Sequence, residues 1–391
     1  MRILYHHRIA SRDGQATHIE EMVRALRELG HDVETCAPTL YSRDSGRGGS
    51  PGWVGTLKAT LPKAAYELAE LGYSGVSYAR VKKAIESFRP DVIYERYALF
   101  NLGGVWASRR YGIPLVLEVN APYATARRKY DGLRLHRLAD RAEHFVWRRA
   151  TRVLPVTEVL ARMIGDAGVP MERMTVIPNA VDPAHYRNLP SPDEARRALG
   201  LEGRLVIGFT GFVREWDRLD RLVDWLADDR SREKLHLLVV GDGPVRSALA
   251  ARAHALGIGD RLTFTGVVPR TRVPELAMAF DVALQTALVP YASPLCLFEY
   301  LALGKAIVAP DQPNHHEVLH AGVDALLYKP DEPGDMERTI EVLVSSPELR
   351  ARLEAGARAS MENGNFTWRR NAERVVKAIE AARNHRNRDR G

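Results

Sequence analysis

Two of the 391 residues are cysteine, Cys36 and Cys296, and no CxxC spacing accompanies either. That scarcity excludes a disulfide-stapled framework and a structural zinc site. No apolar run reaches the length of a membrane span. Met1-Arg2-Ile3-Leu4-Tyr5 enters a strand pattern at once, with no signal-peptide pattern before it, so the expected location is the cytoplasm. Neither GxGxxG nor GxxxxGKS/T follows that first strand, which counts against a dinucleotide dehydrogenase and a P-loop NTPase. No groove-reading element with stacking aromatics is present, so nucleic acid is not an expected partner.

What the chain has is length and alternation. With 45% apolar and 27% charged residues it reads as a globular protein large enough for two domains, each with its own core. Short apolar runs alternate with helix-period segments, the pattern of parallel sheets covered by helices on both faces. Strands are expected at Arg2–Tyr5, Asp32–Cys36, Val92–Tyr94, Leu115–Val119, Val153–Val156 and Thr175–Ile177. The cycle restarts at Leu205–Phe209, Leu235–Val240, Leu262–Thr265, Val282–Gln285 and Ala306–Ala309. Ile19, Met22, Val23, Leu26 and Leu29 share one helix face with Gly30 as the stop, and Leu219, Leu222, Val223 and Leu226 share another. The fold class is therefore α/β with two doubly wound, Rossmann-like domains. Prolines 178, 183, 190 and 192 crowd the boundary, giving residues 1–178, 179–366, and a last helix and polar tail at 367–391 expected to pack back toward the N-terminal domain. Residues 43–52, flanked by Trp53, Val54 and Leu57, are expected to form a long loop, either an acceptor lid or a tolerated insertion.

The net charge is +7, and much of the excess lies between Arg127 and Arg152. There Leu135, Leu138, Ala142, Phe145 and Val146 form an apolar helical face opposite several arginines. Peripheral contact with an anionic membrane, a grip on a phosphorylated acceptor, and a plain solvated face all fit; the last is the simplest.

The segment Pro290–Pro310, PYASPLCLFEYLALGKAIVAP, carries the densest local signal. Ser293 as N-cap and Pro294 at the first helical position open a helix that Gly304 closes, and a buried strand follows. Such a helix start favours a phosphate. Glu299, one turn in, is either a grip for a diol such as a ribose or an ordinary solvent-facing residue. In doubly wound sheets ligands lie beyond the carboxyl ends of strands. After the first strand comes the long polar turn His6–Gln15, with Gly14 at the helix start; after the fourth comes Asn120-Ala121-Pro122. After Leu205–Phe209, Arg214 and Arg218 frame Trp216, and arginines there suit a diphosphate by bidentate pairing or stand as idle surface charges.

These turns occur in an order and spacing that resemble the retaining glycosyltransferases of family four, from end to end of the chain. The residues carrying the likeness are Gly211–Asp220, Gly241-Asp242-Gly243-Pro244, Phe264–Val268, Ser293–Gly304 and Ile177–Asp182. Tyr94-Glu95-Arg96-Tyr97, Glu118–Pro122 and Asp311-Gln312-Pro313-Asn314 are similar to a bacterial branch concerned with surface and exported polysaccharides. The resemblance implies the GT-B fold, two Rossmann-like domains facing across a cleft. It implies a UDP- or GDP-sugar as co-substrate, a saccharide or lipid-linked acceptor, transfer with retention, and neither metal nor cofactor. Donor binding would fall to Glu299, Ser293, Pro294, Leu295, Gly266, Val267, Val268, Gly211 and Tyr291, and acceptor binding to Gly14, Gln15, His18 and Asn120. Catalytic duty would fall to Arg214, Arg218 and Asn120. Three departures stand out: Tyr291 occupies the place of the first glutamate of E-x7-E, Phe212 and Asp217 stand where Arg and Lys are usual, and Cys296 where Lys is frequent. A hexosyltransferase of glycan or glycoconjugate biosynthesis is the leading expectation. A degenerate sugar-nucleotide-binding relative and, more remotely, a nucleotide-sugar epimerase are the alternatives.

Overall fold

A computed structural model of the chain describes residues 1–9, 14–38, 61–228 and 232–388, with only the backbone given for residues 14–15 and 385–388. The expected loop at 43–52, with Trp53, Val54 and Leu57, lies outside the described residues. Two compact units divide the chain: Met1–Asn179 with Tyr291–Ser293 and Trp368–Gly391, and Ala180–Pro290 with Pro294–Thr367.

The first unit runs β1 (Arg2–His6), α1 (Gly14–Glu28), β2 (Asp32–Cys36), α2 (Lys63–Phe88), β3 (Val92–Arg96), α3 (Gly103–Tyr111), β4 (Leu115–Val119), α4 (Tyr123–Tyr130), α5 (His136–Arg149), β5 (Arg152–Pro155) and α6 (Glu158–Asp166). Its five strands are parallel in the order β2-β1-β3-β4-β5. Every residue of β3 and β4 is buried, as central strands covered on both faces require. The order reverses between β1 and β3, so a crevice opens at their carboxyl ends, where His6, Glu95 and Arg96 lie.

Two expectations need correcting here. Thr175–Ile177 is not a strand: a single bridge joins Met174 to Val153, and Thr175 and Ile177 donate to Val153 and Pro155. A 3-10 turn at Met171–Arg173 and Pro178 on the other side leave it no room to extend. In α5 the buried face is Ala139, Ala142, Glu143, Val146 and Trp147, with Leu135, Leu138 and Phe145 only half-buried at its margin. A carboxylate thus sits inside the face that apolar periodicity traced, because its oxygens accept the Ala124 amide at the start of α4. The C-terminal helix Trp368–Arg388 belongs to this unit and buries Trp368, Ala372, Val375 and Ile379.

The second unit runs α7 (Pro192–Ala198), β6 (Leu205–Thr210), α8 (Leu219–Asp228), β7 (Leu235–Val240), α9 (Arg246–Ala255), β8 (Leu262–Phe264), α10 (Arg272–Ala277), β9 (Val282–Leu284), α11 (Leu295–Leu303), β10 (Ala306–Pro310), β11 (Ala325–Tyr328), α12 (Asp335–Ser345) and α13 (Pro347–Gly364). Its parallel sheet has the order β11-β10-β9-β6-β7-β8, which reverses between β6 and β9. Ser191 and Glu194 close a capping box with Pro192 at the start of α7. Leu219, Leu222, Val223 and Leu226 of α8 are buried in one core cluster, each contributing roughly 1.5–3 kcal/mol by burial. The edge strand β11 was not anticipated: four residues without alternation fall below what periodicity detects. At the sheet's upper rim, a Cβ on Gly241 would stand 1.9 Å from the Gly211 carbonyl oxygen, and one on Gly243 2.0 Å from that of Val213. The turns after β6 and β7 therefore lie backbone against backbone, an approach only glycine permits.

Candidate active site

In the second unit the loops after β6, β8 and β9 meet the start of α11. The loop after β6 is tied to the β7 turn by Gly211 N–H donating to Val240 (3.1 Å) and Val213 N–H to Asp242 (2.8 Å). It then forms a 3-10 turn, Glu215–Asp217, in which buried Asp217 accepts the Arg214 N–H at 2.7 Å. Burial pushes the Asp217 carboxyl up to about 6, opposed by that amide and the Arg214 charge. The residue standing in place of a lysine is thus a turn cap. Arg214 is stacked, its guanidinium carbon 5.1 Å from the ring centroids of both Phe212 and Trp216. Phe212 is 56% exposed. Arg218 takes positive φ (52°) and pairs with exposed Asp220 at 3.4 Å, a contact worth little. With Arg221, Thr286, Leu288, Tyr328 and Lys329 it lines a cavity of about 80 Å3 at the strands' carboxyl ends.

Helix α11 begins at Leu295 with Pro294 as N-cap and no side-chain cap, and ends at Gly304 (φ 60°). Ser293 was expected to cap it and does not. Its hydroxyl oxygen accepts the Asn179 N–H at 3.0 Å and its carbonyl accepts Asn179 Nδ2 at 2.5 Å, both within the first unit. Cys296 is half-buried, donates to Gln285 Oε1 at 3.6 Å, and has its thiol pushed well up by desolvation and by the charges of Glu299 and Asp217. Glu299 is 8% exposed, and its carboxylate accepts no hydrogen bond from any described residue. Its one ion pair is with Arg270, at 3.9 Å. Burial raises its pKa and Arg270 opposes the rise. Such a group is an acceptor held ready without a donor. Beyond β8, Gly266 (φ 71°) turns the chain so that Val267 stands 81% exposed, while Val268 packs on the core.

Tyr291 belongs to the first unit, its carbonyl accepting from Thr157 Oγ1 at 3.0 Å. Burial, with Tyr130, Tyr123 and Glu143 around it, pushes the phenol up to about 12.

In the first unit the residue that organises the crevice is Glu118, which spacing had marked only as part of a motif. Its carboxylate accepts from Tyr94 (2.8 Å), Tyr5 (3.3 Å), Asn120 Nδ2 (2.6 Å) and the Arg96 guanidinium, with His18 Nε2 3.1 Å away. Burial alone would raise its pKa; His18 and Arg96 hold it well below the ordinary range. Asn120 is therefore oriented by Glu118. His18, expected to meet an acceptor, is 3% exposed, with its ring nitrogens facing Glu118 and Asn179, so it presents no free edge. A second buried set links Ser77, His6 and Glu95, with His6 Nδ1 2.6 Å from Glu95 Oε2 and Nε2 3.1 Å from Ser77 Oγ. All three are sealed from solvent, so the arrangement is structural. Of Gly14 and Gln15 only the backbone, opening α1, is described.

Residues 13–180 match the family described as "Glycosyl transferase 4-like domain", and residues 191–360 the family described as "Glycosyl transferases group 1". The two matches take in most of the chain, which belongs to the family-four type of glycosyltransferases and is a transferase of the glycosyl-transferring class. A 2-deoxystreptamine glucosyltransferase of Streptomyces kanamyceticus is 28% identical over 270 residues, 65% of this chain and 68% of the relative. A GDP-mannose-dependent alpha-mannosyltransferase of Mycobacterium tuberculosis is 26% identical over 314 residues, 76% and 75% of the two chains. The structure of Anabaena HepE in complex with UDP-glucose matches with a TM-score of 0.75 at 19% identity, over 97% of this chain and 100% of that one. That likeness shows the GT-B fold. No helix among the described residues is long and apolar enough to cross a membrane.

Proposed function

We propose that the protein transfers a hexosyl unit, with retention at the anomeric carbon and without a metal, from a UDP- or GDP-sugar to a saccharide, lipid-linked or small-molecule acceptor. The observation that carries this reading is Glu299: a buried carboxylate with no hydrogen-bond donor, on the first turns of a helix whose N-terminal end favours phosphate. In this reading Glu299 accepts the two ribose hydroxyls, exposed Val267 meets the base, and the Leu295 N–H at the helix start, after Pro294, faces the diphosphate with Arg214 and Arg218. Charge grows on that diphosphate as the glycosidic bond breaks, so donors and cations fixed there lower the barrier. The likenesses support both nucleotides: the mycobacterial relative is GDP-mannose-dependent, and the Anabaena structure holds UDP-glucose. One relative is a 2-deoxystreptamine glucosyltransferase and another, of Nocardia farcinica, a D-inositol 3-phosphate glycosyltransferase, so a small hydroxylated acceptor is the first to try.

The test is a panel of UDP-, GDP-, ADP- and dTDP-sugars by calorimetry, followed by transfer assays and NMR of the product's anomeric proton. A retained configuration with one nucleotide preferred is expected. Binding with neither transfer nor slow hydrolysis over a broad acceptor panel would replace this reading by that of a sugar-nucleotide-binding relative. Arg214→Ala should lower turnover about a hundredfold, the usual cost of one lost transition-state donor; unchanged kinetics would remove Arg214 from the site.

A further inference from the structure

The chain passes between its two units at 179/180, 290/291, 293/294 and 367/368, and three of these points converge on one imidazole. His18 Nδ1 is 2.7 Å from Asn179 Oδ1. Asn179 in turn holds Ser293, through its amide N–H (3.0 Å) and its Nδ2 (2.5 Å). The ring of His18 meets Trp368 edge to face, with centroids 4.8 Å apart. The fourth point, Tyr291, is held by Thr157.

The partners of Asn179 define which atom of the ring donates. Asn179 Nδ2 is committed to the Ser293 carbonyl, so the atom facing His18 is Oδ1, an acceptor, and Nδ1 must donate. Nε2 faces the Glu118 carboxylate, already the acceptor for Arg96, Tyr94, Tyr5 and Asn120. Nδ1 thus makes the ring's hydrogen bond, while Nε2 lies 3.1 Å from the carboxylate without hydrogen-bond geometry. The charged and titratable groups around it are Glu118 and, beyond that carboxylate, Arg96, Tyr94, Tyr5 and His7; from the C-terminal helix comes Trp368. Neighbouring side chains of that helix sew the same linker down: Asn371 Nδ2 donates to the Pro178 carbonyl at 2.6 Å and Arg374 to that of Val176 at 2.7 Å.

We infer that His18 is a positioning residue of the transfer reaction: hydrogen-bonded to Asn179 and packed on Trp368, it anchors on the first unit the chain segments that lead into the second. Ser293 is the residue immediately before Pro294, so its anchoring is passed covalently to the start of α11. His18 touches no substrate in this role.

The test uses the full chain, with hydrogen–deuterium exchange read on peptides covering residues 176–182, 290–296 and 366–370. His18→Ala should raise exchange at Asn179 and its neighbours about tenfold, the equivalent of one buried hydrogen bond, while peptides of β1 and β6 stay protected. Turnover should fall with nucleotide affinity unchanged. A pair of partial mimics separates the anchor from mere packing. His18→Asn places an amide N–H near the position of Nδ1 and should keep the protection; His18→Gln reaches toward Glu118 instead and should lose it. Equal protection in the two variants, or unaltered exchange at the crossings in both, would overturn the inference, including where the alanine variant fails to fold. The exchange result does not depend on the donor assignment, so a failure of that assignment shows separately, as a protein with the anchored crossings and no nucleotide binding.

Discussion

Replacing Glu299 by glutamine should separate binding from stability in opposite directions. In the free protein this carboxylate is 8% exposed, accepts no hydrogen bond and has Arg270 only at 3.9 Å, so burial disfavours its charge. Glutamine keeps the shape and removes the charge, and the unbound protein should be as stable as the original or more stable by about 1–2 kcal/mol. Binding should move the other way. Two ribose hydroxyls donating to a carboxylate are charge-assisted hydrogen bonds, each worth roughly 1.5–3 kcal/mol, whereas an amide oxygen offers weaker acceptance. Allowing for the partial replacement, nucleotide diphosphate affinity should drop about ten- to a hundredfold, by RT ln of that ratio. The assay is calorimetry with UDP, GDP and their 2′-deoxy forms on both proteins, with thermal melts of the unbound chains beside it. The deoxy form should be penalised in the original protein and hardly at all in Glu299→Gln, a coupling that a double-mutant cycle measures directly. An equal deoxy penalty in both proteins would refute the ribose role, whatever the melts show.

Three further outcomes are expected. Glu143 has its carboxyl pushed up to about 8 by burial, against the Ala124 amide that lowers it, from an ordinary value of 4.5. A raised carboxyl favours the fold most at low pH, so its contribution is full below about 4.5 and is lost as pH rises toward about 8. Glu143→Gln still accepts the Ala124 N–H and should flatten that loss; denaturation at pH 5, 7 and 9 reads it, and parallel pH profiles for the two proteins would contradict it. Gly241→Ala would set a Cβ 1.9 Å from the Gly211 oxygen at φ 149°, so roughly 3 kcal/mol or more of destabilisation with loss of nucleotide binding is expected in melts and calorimetry. Ser77→Ala should lower stability through the unpaired His6 Nε2 and leave transfer rates unchanged, and the original protein should resist fluorophosphonate labelling; labelled Ser77 would mean the set is open to solvent.

How much of this was legible in the sequence varies with the range of the forces involved. Buried parallel strands read as largely apolar runs, so Leu115–Val119 and Leu235–Val240 fall where the runs place them. Helix α8 follows from its apolar spacing, and α11 ends at Gly304 because only glycine takes that backbone turn cheaply. Local patterns failed where a side chain's partner was remote. The Ser293 hydroxyl looked like a cap because serine before proline usually is one, yet Asn179, over a hundred residues earlier, takes it. Glu143 was absent from the expected face of α5 because no periodicity reports a carboxylate buried against another helix's first amides.

The amino-acid sequence by itself determined the class of architecture, the glycine-closed turns at the strand ends, and the helix start followed by Glu299, because these depend on burial and backbone freedom over a few neighbouring residues. Tertiary structure alone decided that Glu299 lacks a donor, that Asp217 caps a turn, that Tyr291 and Ser293 belong to the first unit, and that His18 is an anchor. Those outcomes rest on hydrogen bonds and charges meeting across long chain separations, and a carboxylate or an imidazole acquires its role from the groups folded against it.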